Sequence, residues 1–134
     1  MSGNTELLVK KNKQAFNQHF YLESVFISYQ LITRGVKQVM FLEKLAVSHQ
    51  KYKLNDAIKI IKPLYNQNPL FTKKLKKSIF KDICEFNNEF KMLSKELKYQ
   101  LPEAKIKTTA KKGMDVFIKL NTDLVKLKSN KTKV

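Results

Sequence analysis

The stretch from Phe20 to Ala46, FYLESVFISYQLITRGVKQVMFLEKLA, constrains the fold more than any other part of the chain. Leu22, Val25, Tyr29, Ile32, Val36 and Val39 follow the three-and-four spacing of one helical face, and Phe26, Ile27, Leu31, Met40 and Phe41 carry apolar surface well beyond it. A helix that is apolar on more than one side is surrounded by other helices. At 1.5 Å per residue the stretch spans roughly 40 Å, enough for several to pack along it. Glu23, Arg34, Lys37, Glu43 and Lys44 interrupt it too often for a membrane span.

Punctuation elsewhere agrees with helices. Sheets need turn residues at short intervals, whereas 134 residues here contain three glycines and three prolines, so an all-α fold is expected. A first helix is read over residues 4–18, with Leu7, Leu8, Ala15 and Phe16 inward and Lys10, Lys11 and Lys13 outward. A turn near Asn17 to Phe20 leads into the central helix. The polar segment after Ala46 reads as a loop. A short helix follows from about Asn55 to Tyr65, with Ala57, Ile58, Ile61 and Leu64 inward until Pro63 bends or ends it. Asn68-Pro69 is a helix-start signal, because asparagine caps and proline is tolerated in a first turn. Phe71, Leu75, Ile79, Ile83, Phe86, Phe90, Leu93 and Leu97 form the next seam, on a helix starting at Asn68 or, after a break, near Ser78. Beyond the Pro102 boundary, a last helix from Glu103 to Leu127 places Ala110, Gly113, Phe117, Leu120, Leu124 and Leu127 on its seam. Gly113 implies close approach of a neighbouring helix, since mid-helix glycine otherwise costs about 1 kcal/mol. The expectation is one up-and-down bundle domain of four to five helices over residues 1–128, with 129–134 a flexible basic tail.

Charge is the strongest compositional signal. The chain has 27 basic and 11 acidic residues, a net charge of +16, and such a field attracts polyanions. Every basic residue except Arg34 is lysine, and abundant Lys, Asn and Ile together also match an AT-rich coding bias. Lysine meets phosphate as a point charge and lacks the fork that reads guanine, so nucleic-acid binding here would be tolerant of sequence. A lone cysteine, Cys84, permits no internal disulfide, and the N-terminal residues contain no apolar run of signal-peptide length; a cytoplasmic setting is expected.

Specific chemistry leaves little trace. His19 and Glu23 stand four apart, but a metal needs more ligands and His49 is isolated, so a surface hydrogen bond or helix-start contact is the stronger reading. Cys84 sits on an apolar seam beside Asp82 and Glu85, which oppose thiolate formation, and reads as packing. Met40, Met92 and Met114 read as core filler. No phosphate-binding glycine loop is present, and no serine has nucleophile-elbow context. Two lysine groups remain. Lys73, Lys77 and Lys81 recur one turn apart, with Lys74 beside them, and repel one another unless an anion or acidic partner lies opposite. Lys105, Lys107, Lys111 and Lys112 open the last helix, where positive side chains are disfavoured and phosphate is welcome. A solvated lysine face weighs evenly against a binding role for either group. Tyr52 and Tyr65 are candidates for stacking on bases, with packing the commoner role.

In layout, KQAFNQHFYLESVFISYQLI, the NPLF connection, ICEFNNEFKMLSKEL and TTAKKGMDVFIKLN together resemble small bacterial proteins of the HEPN-like superfamily. The resemblance implies a bundle of four to five helices, frequently dimeric, that binds or cleaves RNA, often in toxin–antitoxin or defence systems. Its ribonuclease signature is an arginine, commonly followed by a polar residue, and then a histidine about a turn later. Anchoring the family's aromatic on Phe86 puts Phe90, Lys91 and Lys95 at these three positions, so the signature is unmatched and loss of that activity is implied.

The reading is therefore a non-enzymatic nucleic-acid-binding module using lysine–phosphate contacts from Lys73, Lys74, Lys77, Lys81, Lys105, Lys107, Lys111 and Lys112. No cofactor, metal or membrane association is expected, and a homodimer is. The alternative is a protein-interaction or scaffold module of the same fold, with an acidic protein partner.

Overall fold

A computed structural model describes residues 3–45, 53–96 and 103–132, and the described chain is all-helical. Its elements are α1 (Gly3–Asn17), α2 (Tyr21–Leu42), α3 (Leu54–Ile61), α4 (Leu64–Gln67), a 3-10 helix (Pro69–Lys73), α5 (Lys77–Glu96) and α6 (Glu103–Thr132). The expected loop after Ala46, with His49 and Tyr52, lies outside the described residues, as do Leu97 and Pro102. Helix α6 continues past the Leu127 end read from its seam, and of the expected tail residues 129–132 are helical.

The central helix packs against α1, α3, α5 and α6, as its several apolar sides require. Its closest partner is α6, and the two run parallel. From Tyr21 through Ser28 to Gly35, the facing residues of α6 advance from Lys107 through Gly113 to Leu120. Two glycines make the approach possible. A Cβ on Gly113 would stand 2.6 Å from Ser28 Cβ and 2.8 Å from Phe86 Cε2; one on Gly35 would stand 2.7 Å from Leu120 Cδ2. The Gly113 expectation is met, and Gly35 has the same role from the other helix. Helices α1 and α5 run antiparallel to this pair, α1 packed mainly on α2 and α5 mainly on α6.

The core seams follow the sequence closely. Every seam position of α6 from Ala110 to Leu127 is buried, as are Phe71, Leu75, Ile79, Ile83, Phe86 and Leu93 around α5. Burying one such side chain fully, as for Phe86, contributes about 1.5–3 kcal/mol. Four outward residues break the pattern: Leu7 is 52% exposed, Phe26 41%, Phe41 56%, and Met92, read as core filler, 49%. The inward residue missed in α1 is Asn12, only 3% exposed. Its Nδ2 donates to Ser28 Oγ at 2.9 Å and its Oδ1 accepts from Ser24 Oγ, joining α1 to α2 through a polar cluster within the core.

Helix ends explain the remaining geometry. Helix α1 stops with His19 at φ 67°, its N–H donating to Phe16 at 3.1 Å while Phe20 N–H reaches Ala15 at 2.8 Å. Lys44, at φ 57°, ends α2 the same way with Phe41 and Met40 as acceptors. Both are Schellman closures with a non-glycine residue in the left-handed position, so no glycine marks them in the sequence. Pro63 separates α3 from α4, and Asn68 Oδ1 accepts Leu70 N–H at 3.2 Å to start the 3-10 helix. The break before α5 is fixed from a distance: the carboxylate of Asp123, on α6 and nearly buried, accepts Lys76 N–H at 3.0 Å. A carboxylate at a helix N-terminus also complements the helix dipole.

Candidate nucleic-acid interface

The chain breaks at Pro63 and Asn68 fold the segment after α3 back toward the first turns of α5. Between them lies a groove of about 600 Å³ lined by Lys62, Tyr65, Asn66, Lys77, Ser78, Phe80, Lys81 and Cys84. Its chemistry is divided. Tyr65, Phe80 and Cys84 give it an apolar side, while Lys62, Lys77 and Lys81 are exposed and make no ion pair among the described residues. No carboxylate lines it. Lys77 and Lys81 stand one turn apart and repel each other, and Lys62 adds a third charge from α3's end.

Tyr65 belongs to the scaffold. Its hydroxyl donates to the Leu75 carbonyl at 2.8 Å, and its ring centroid lies 5.2 Å from that of Phe71 and 5.1 Å from that of Phe80. Burial pushes its pKa well up. Burial also raises the Cys84 thiol, against a lowering by nearby Lys62 and with a further raising by Glu85. The thiol is held protonated, in agreement with a packing role.

The eight lysines singled out from the sequence are not gathered into one patch. Lys77 and Lys81 line the groove; Lys73 is exposed on the 3-10 helix, and Lys74 reaches Glu43 at 3.9 Å. The second group faces elsewhere. Lys112 Nζ donates to Glu85 at 2.9 Å and lies 3.7 Å from Glu89, holding the Glu85 carboxyl below its usual value. Lys119 meets Asp82 at 3.4 Å, so α5 and α6 are joined by a mixed-charge seam that includes Lys111 and Asp115. Lys107 Nζ stands 5.7 Å from the centre of the Tyr21 ring, and Lys105 is also engaged. Because α5 and α6 are antiparallel, Lys77 and Lys105 sit at opposite ends of the pair, roughly 25 Å apart along its axis at 1.5 Å per residue. Lys62 was missed because the sequence places it only at a helix end before a proline.

His19 precedes α2 in the left-handed conformation, so it does not share a helix face with Glu23. Its Nδ1 is hydrogen-bonded to the Tyr21 hydroxyl at 2.6 Å, the helix-start contact expected. Among the described residues no group of three or more His, Cys, Asp or Glu side chains is placed to hold a metal, and no helix is long and apolar enough to cross a membrane. No family model matches the chain, and no curated protein or solved structure is detectably similar to it.

Proposed function

We propose that the chain is a non-enzymatic nucleic-acid-binding module that holds phosphates with lysines and discriminates little between sequences. One observation carries this reading: Lys62, Lys77 and Lys81 meet at a groove with no carboxylate in its lining, while Lys74, Lys76, Lys112 and Lys119 each have one in reach. Lys81 has Glu85 within electrostatic reach but no ion pair among the described residues, and ammonium groups gathered with so little counter-charge lose repulsion when an anion enters. The apolar side of the groove would shield the phosphate–lysine contacts from water. Lysine-only recognition supplies affinity through counterion release and no base readout.

The bundle is further proposed to be HEPN-like and to lack that family's cleavage chemistry. The position corresponding to the family's arginine is Phe90, whose ring stacks on Tyr29 at 4.1 Å and meets Phe26 edge-on at 5.5 Å. That place is given to packing. Salt titration tests the main proposal: affinity for duplex DNA or structured RNA should fall log-linearly as salt rises, with a slope near 0.9 per phosphate neutralised on duplex DNA. Absence of binding at low salt, or binding indifferent to salt, would overturn it.

The exposure of Phe20, just before α2, and of Phe26 and Phe41 on it favours a second reading, a protein-interaction module. Capture of a partner that survives nuclease treatment would support it over the first.

A further inference from the structure

We infer that the cleft between α1, α2 and α6 is a binding site for a small organic carboxylate. It holds about 190 Å³, below the roughly 300–1,000 Å³ usual for larger ligands. That size suits an acid with a short apolar tail. Its polar lining is Thr5, Arg34, Gln38, Asn121 and Lys128: a hydroxyl, two cations and two amides, with no carboxylate. Leu31, Phe117 and Leu124, all buried, and the exposed Val125 form its apolar part, and Gly35 lines it without adding a side chain.

Arg34 is the only arginine among 27 basic residues. Its guanidinium presents paired N–H groups that match a planar carboxylate, which lysine cannot do. In the described structure Arg34 forms no ion pair, and neither does Lys128. The carboxylate end would therefore meet the guanidinium and ammonium, and the hydrocarbon end would lie on Phe117 and Leu124. Inorganic phosphate would find the charge but gain nothing from the apolar part. The site is separate from the lysine groove, which is built by α3, α4 and α5.

The test is a methyl and amide NMR titration of the full chain with hexanoate, 1-hexanol and inorganic phosphate in parallel. Hexanoate is expected to shift the methyl signals of Leu31, Leu124 and Val125, with hexanol and phosphate binding more weakly. Because Arg34 is exposed, R34Q should keep the fold while weakening hexanoate about tenfold or more, and R34K should fall between. The proposal is overturned if hexanoate moves none of these signals, if hexanol or phosphate binds as tightly, or if R34Q retains wild-type affinity.

Discussion

Replacing Asn12 with alanine would strand two hydroxyls in the core. Ser24 and Ser28 are both fully buried, and Asn12 receives a hydrogen bond from one and donates to the other. A buried polar group left without its partner costs about 1–3 kcal/mol, so Asn12→Ala should lower unfolding stability in urea by that order. Asn12→Leu combined with Ser24→Ala and Ser28→Ala removes donors and acceptors together and should recover most of the loss. An unchanged denaturation midpoint in Asn12→Ala would refute the structural role. Cys84 offers a second test at this scale. Its folded pKa is raised, so its contribution to stability is fully present below the ordinary 9.0 and is lost as pH rises through the folded value. Tyr65 adds a loss of the same sign above its ordinary 10.0. Stability should therefore decline on the alkaline side, and thiolate absorbance should report a Cys84 midpoint above 9.0. Lys62→Gln removes a charge that lowers that midpoint and should move it higher still; an unchanged midpoint would place Lys62 away from the thiol.

At the scale of elements, the parallel contact of α2 with α6 depends on two glycines that are not equivalent. The Cβ of Gly113→Ala would meet the base of Ser28 and the ring of Phe86, neither of which can swing aside. Overpacking of that kind costs about 1–3 kcal/mol, more than the roughly 1 kcal/mol that alanine returns in helix propensity. For Gly35→Ala the nearest obstacle is Leu120, whose Cδ2 and Cγ would stand 2.7 and 3.2 Å away, and because only this one side-chain end must shift the net loss should be smaller than for Gly113→Ala. Thermal unfolding that shows Gly113→Ala at or above wild type would contradict this register. The asymmetry also shows where sequence reasoning stops. Seams on α5 and α6 were legible because burial repeats every three or four residues, and Gly113 stood out as a break in such a seam. Gly35 was hidden in a helix apolar on several sides, and Asn12 looked like one more polar residue on a lysine-rich helix. Leu7 misled in the opposite sense, because the inward face of α1 runs through Thr5, Leu8, Asn12 and Ala15 and leaves Leu7 to one side. Lys62 joined the site only through the turns at Pro63 and Asn68, which no local pattern connects to Lys77 and Lys81.

For the whole molecule, the question is whether +16 acts as a diffuse field or through one place. A diffuse field would make every exposed lysine nearly equivalent, because a polyanion away from the surface feels mainly the total charge, weakened by screening over about 8–10 Å at physiological salt. Close contact would not. Lys10, Lys11 and Lys13 provide the comparison: they are exposed on α1, which packs on α2 and α6, and the groove belongs to α3, α4 and α5. Changing those three to glutamine, or Lys62, Lys77 and Lys81 to glutamine, lowers the net charge by the same three units. If the groove holds phosphates, the second variant should bind duplex DNA more weakly and lose up to about 2.7 from the slope of log affinity against log salt, while the first keeps the slope of the parent. Equal losses in the two variants would assign binding to total charge, and the groove would then be only the place where the chain turns back before α5.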